Sequence, residues 1–87
     1  MFDDFVQRIR DHRDEAEIIQ QGLAHEGPEI IRRLMRWPET AYGPSMSEVA
    51  RRAGLSKTYL SRVLNGRQII SPGAFLKLHR LLRKGRT

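Results

Sequence analysis

At 87 residues and 39% hydrophobic, the chain can bury one modest core and has no room for a separate catalytic domain. It contains no cysteine, which excludes disulfides, thiolate zinc sites and a thiol nucleophile, and fits an intracellular, cytoplasmic protein. Net charge is +6, yet residues 1–48 carry ten acids and six bases whereas residues 49–87 carry ten bases and no acid. A stretch without a single carboxylate reads as the footprint of a polyanionic partner, because charge kept only for solubility usually mixes signs.

Every periodic segment is helical and none alternates as a strand would, so the expectation is an all-α, compact bundle of about five helices. The first helix is predicted from about Asp3 to Leu23, with Phe2, Phe5, Ile9, Ala16, Ile19 and Leu23 at three- and four-residue spacing and His12 in the remaining slot. That spacing fits packing on its own domain or a short antiparallel dimer contact. A parallel coiled coil fits less well, since Arg8 would face the partner's Arg13. Gly22 and Gly27 bracket an expected break, and Pro28 is well placed to begin a second helix. There Ile30, Ile31, Leu34, Met35 and Trp37 form the apolar side and Arg32, Arg33 and Arg36 the solvated basic side, with Pro38 as the stop and "PETAYGPS" as a loop.

Ser45 and Glu48 stand at capping-box spacing ahead of a third helix that Gly54 closes near Ala53. Its inner side is Met46, Val49, Ala50 and Ala53; its outer side is Ser47, Glu48, Arg51 and Arg52. Ser56 caps a fourth helix, which stops at Asn65-Gly66. Stepping 100° per residue from Lys57 puts Lys57, Thr58, Ser61, Arg62 and Asn65 on one arc and Tyr59, Leu60, Val63 and Leu64 on the other. Ser71-Pro72 repeats the cap-then-proline signal for a fifth helix with the stripe Phe75, Leu78, Leu81 and Leu82, ending in a basic tail. Leu76 lies off that stripe and, with the first helix, is a candidate dimer contact.

Chemistry of other kinds finds no support. His12, His25 and His79 lack metal-ligand spacing, and the serines sit at helix caps without a base and an orienting partner. No cofactor loop, metal set or enzyme pattern is present. No apolar run nears the roughly 18 residues of a membrane span, and the opening residues do not read as a secretory signal.

Two short helices joined through Gly54-Leu55-Ser56 form a helix-turn-helix, with small Ala50 and Ala53 allowing close crossing and Leu55 filling the corner. The outward arc of the fourth helix is then free to enter a DNA major groove. The segment "MSEVARRAGLSKTYLSRVLNGRQIISPGAFLKLHRLL" resembles the helix-turn-helix of the lambda-repressor-like family, the Cro/repressor or XRE type, over about Ile30 to Leu82. The resemblance implies a DNA-binding transcription regulator in which Lys57, Thr58, Ser61 and Arg62 face the groove. Ser56 would sit at the helix start, and Asn65, Arg67 and Gln68 at the phosphate or groove edge. The family often places a Gln, which touches phosphate and braces the recognition helix, where this chain has Met46; Ser45 or Ser47 is the replacement at hand. Residues 1–25 would form an N-terminal helix for packing or dimerisation, and residues 26–87 the DNA-binding domain. The expected partners are double-stranded DNA and a second copy of the chain, acting as a repressor. "EIIQQGLAHEGPEIIRRLMRW" is more loosely similar to XRE-type antitoxins, which makes an antitoxin that holds a partner toxin the alternative.

Overall fold

Five helices are present in the computed structural model, which describes residues 2–11, 16–36 and 45–85. They are α1 (Asp3–Arg10), α2 (Ala16–Leu34), α3 (Met46–Ala53), α4 (Lys57–Leu64) and α5 (Pro72–Gly85). There is no strand among the described residues, and the chain is all-α as its periodicity predicts. Trp37, Pro38, most of the "PETAYGPS" loop, His12 and Arg86 lie outside the described residues.

The central helix is α2, which packs against α5, α4 and α1, while α3 packs against α4 and α5. Its buried side is Ile19, Leu23, Ile30, Ile31 and Leu34. Phe75 of α5 is fully buried and meets the rings of Phe2 and Phe5 edge-on, at centroid separations of 5.9 and 5.2 Å. Such T-shaped pairs add about 0.5–1.5 kcal/mol beyond the area they bury. Phe2, Val6 and Ile9 are all buried, so the apolar side of α1 is spent within its own chain. Leu76, off the main stripe of α5, is half-buried against the same core.

The N-terminal helices differ from the sequence reading. The break falls after Arg10, and one helix runs from Ala16 through Gly22, Gly27 and Pro28 to Leu34. The two glycines are points of close approach instead of helix ends. A Cβ on Gly22 would overlap the ring of Phe5, and one on Gly27 would lie 2.8 Å from Ile70 Cγ2 and 3.2 Å from Val63 Cγ1. Pro28 therefore sits inside α2, where it gives up a helical hydrogen bond, but the residue before it carries no Cβ to clash with the proline ring. Packing of α2 on α1, α4 and α5 outweighs the local stop signals.

One polar contact ties the first helix to the last. His79, buried on α5, bonds through Nε2 to Asp3 Oδ1 at 3.0 Å across 76 positions of sequence. That bond holds the Asp3 carboxyl below its ordinary pKa, assisted by the positive charges of the chain start, His79 and Arg83.

Two outcomes follow from this packing. Gly27→Ala gains up to about 1 kcal/mol of helix propensity but overpacks Ile70 and Val63 at about 1–3 kcal/mol. Its denaturation midpoint is expected to fall; an unchanged or higher midpoint would show that α2 does not approach the 63–70 segment this closely. For Asp3, a carboxyl whose pKa is lowered on folding contributes stability above the unfolded value, near about 4, and loses it as pH falls through the folded value. Asp3→Asn is therefore expected to lower the melting temperature at neutral pH and to converge with the parent in strong acid. Equal melting temperatures at neutral pH would contradict the tie.

Candidate nucleic-acid interface

The pair α3 and α4 is short because each helix ends in the same device. Gly54, at φ +72°, donates its N–H to the Arg51 carbonyl at 3.3 Å, and Leu55 donates to the Ala50 carbonyl at 2.9 Å. Gly66, at φ +73°, repeats the pattern, with Gly66 N–H to Val63 O at 3.1 Å and Arg67 N–H to Arg62 O at 2.9 Å. These are Schellman ends, in which a left-handed residue lets the chain reverse over the last turn. A Cβ on either glycine would have open space, so backbone conformation and not crowding demands glycine there.

The other ends are capped by serine. Ser45 Oγ accepts from Glu48 N–H at 3.2 Å, Ser56 Oγ from Tyr59 N–H at 3.0 Å, and Ser71 Oγ from Ala74 N–H at 3.1 Å. Within the turn, Ala50 is buried while Ala53 and Leu55 pack against the core from its edge. Leu60 and Val63 are buried beneath α4, and Tyr59 on the same side accepts a hydrogen bond from Ser71 N–H at 2.9 Å. That bond ties α4 to the start of α5, a role the wheel position of Tyr59 did not reveal.

The opposite side of α4 is polar and open. Lys57, Thr58 and Arg62 are exposed and Ser61 is half-buried. Together with Asn65 and Arg67 they line a shallow groove of about 280 Å³. The Schellman end explains the last two: the Arg67 backbone is bonded back to Arg62, which brings residues beyond the helix beside its last turn. Asn65 Nδ2 reaches Ser61 Oγ at 3.4 Å inside the same groove. Of the eight residues named from sequence, six share this groove. Ser56 is exposed and occupied as the helix cap, and Gln68 is exposed outside the lining.

Charge is not uniform across the two helices. Lys57, Arg62 and Arg67 have no ion pair among the described residues. Arg51 and Arg52 do: Glu48, the last acid of the chain, accepts from Arg52 Nε at 2.6 Å and Arg51 Nη2 at 2.7 Å. The Arg52 bond, then the Arg51 bond, holds its carboxyl below the usual range. Glu48 is thus the second residue of a capping box in spacing only; its carboxylate goes to the two arginines. Met46, in place of the family's bracing Gln, packs against the core, Ser45 is engaged as a cap and Ser47 is exposed.

His25 is exposed and His79 is bonded to Asp3, and no three potential metal ligands converge among the described residues. No described helix is long and apolar enough to cross a membrane.

Comparison with known proteins agrees with this geometry. No protein of curated function and no solved structure matches the chain. The family described as Helix-turn-helix domain matches it over residues 4–86, nearly its whole length. With paired short helices, a glycine turn and an outward polar face already in place, this chain belongs to the helix-turn-helix domain family.

Proposed function

We propose that the chain is a sequence-specific DNA-binding transcription regulator, a dimeric repressor that reads the major groove with α4. The observation that carries this reading is the open groove on α4, where three cations without an ion pair among the described residues sit among hydroxyl and amide groups, and no described lining residue is a carboxylate. Cations supply affinity for any duplex by displacing counterions from phosphates. Hydroxyl, amide and guanidinium groups on a helix of this width can reach base edges.

Roles follow from side-chain chemistry. Arg62 or Lys57 suits the O6 and N7 of guanine, and Thr58 suits a thymine methyl or an adjacent phosphate. Ser61 lies between them. Asn65, Arg67 and Gln68, beyond the helix end, suit the backbone at the groove edge. Ser56 caps Tyr59 N–H and leaves the N–H groups of Lys57 and Thr58 in the first turn as donors toward phosphate. An eight-residue helix is only about 12 Å long and reads few base pairs. Two copies on an inverted repeat, with half-sites about one helical turn apart, would supply the remaining specificity.

Substitution separates reading from attraction. Arg62→Ala is expected to cost about 1–3 kcal/mol on the preferred site and much less on random duplex, measured by fluorescence anisotropy. Equal losses on both would remove Arg62 from the base readers. Glu48→Gln is expected to act oppositely, tightening binding to all duplexes and steepening the salt dependence, because Arg51 and Arg52 lose their internal counter-charge. Unchanged affinity and salt slope would place those arginines away from the nucleic acid.

A further inference from the structure

We infer that a second basic groove, where the end of α3 meets α5, binds the phosphodiester backbone of nucleic acid outside the stretch that α4 reads. This rests on the DNA-binding reading above, but on different residues. The groove encloses about 180 Å³ and is lined by Arg52, Ala53, Lys77, Arg80, Leu81 and Lys84. Four of these six are cations, and none of the six lines the groove on α4.

The arrangement is a row. Lys77, Arg80 and Lys84 stand three and four residues apart on one exposed side of α5 and have no ion pair among the described residues. Arg52, steadied by Glu48 through Nε, forms the facing wall. Half-buried Ala53 and buried Leu81 supply an apolar part to the lining. Seven residues of helix span about 10 Å. The three charges therefore form a row long enough to follow more than one phosphate of a strand, whereas a single small anion would occupy only part of it.

Helix electrostatics does not account for it. Cations in the last turn offset the negative end of a helix dipole, which covers Lys84 and Arg83. Lys77 lies in the first half of α5 and Arg80 in its middle, where that gain is absent. Their spacing also sets like charges at three- and four-residue neighbours, which is unfavourable unless an anion intervenes. An evenly charged strand answers a linear row better than an acidic protein surface does.

The test uses the full chain and the variant Lys77→Gln/Arg80→Gln/Lys84→Gln, with Arg62→Ala alongside. The longest dimension of the molecule is 37 Å. A random-sequence duplex of about ten base pairs, about 34 Å long, thus falls just short of the protein's length, and one of about forty extends well past it. On the long duplex the triple variant is expected to bind about tenfold or more weakly, with a salt slope shallower by about 2–3. Its binding of one short duplex is expected to match the parent. If the parent takes up a second short duplex and the triple variant does not, the backbone comes from another molecule; if loss is confined to the long duplex at single occupancy, it comes from the flank. Lys77→Arg/Lys84→Arg, which keeps the charge, is expected to bind as the parent does. Unchanged affinity and slope on every duplex would overturn the inference, as would binding of polyglutamate that the triple variant loses while duplex binding stays intact. Loss of specificity in Arg62→Ala with no effect of the triple variant would sink this groove and leave the α4 reading standing; the reverse pattern would do the opposite.

Discussion

Two left-handed glycines set the terms for the side of this molecule built from α3 and α4. Gly54 ends α3 and Gly66 ends α4, each through the same pair of reverse-turn hydrogen bonds. Between them α4 has eight residues, enough for one buried row and one exposed row and for little else. Leu60 and Val63 commit the buried row to the core, and the Tyr59 hydroxyl fixes the helix to the start of α5. With orientation settled from below, the polar row has no direction left but outward. The second turn also folds Arg67 back beside Arg62, so the groove extends past the helix that carries most of it.

The C-terminal half was legible from sequence because its local and tertiary signals agree. Serine caps, glycine stops and the apolar period of α3, α4 and α5 all point to the elements observed, and the outward arc named from angular spacing is the arc that lines the groove. The N-terminal half was misread where those signals conflict. Gly22, Gly27 and Pro28 are helix breakers by local chemistry, yet α2 runs through all three: Phe5 and Ile70 occupy the space the two glycines leave, and Gly27 presents no Cβ to the ring of Pro28. A glycine that ends a helix and one that admits a neighbour look identical in one dimension. The partners of Asp3 and Tyr59, at 76 and 12 positions' distance, were likewise beyond any periodic argument.

Charge has been sorted as carefully as hydrophobicity. The last carboxylate, Glu48, is consumed by Arg51 and Arg52 on the same helix. Every cation after Arg52 must then find its counter-charge outside residues 49–87 or go without. Composition alone signals a polyanion, but only the fold divides those cations between a groove on α4 and a row along α5. The first mixes charge with hydrogen-bonding groups able to discriminate. The second offers charge beside an apolar wall and nothing that would distinguish one base from another. On the proposed function, reading and holding fall to separate faces.

The proposed function depends on the outward face of α4 meeting base edges. Selection of bound duplexes from a random pool, with the number of chains per recovered duplex measured, addresses this most directly. Enrichment of a short motif repeated in inverted half-sites about one helical turn apart, carrying two chains, is the predicted result. Recovery of an unenriched pool, with affinity set by salt alone, would contradict it.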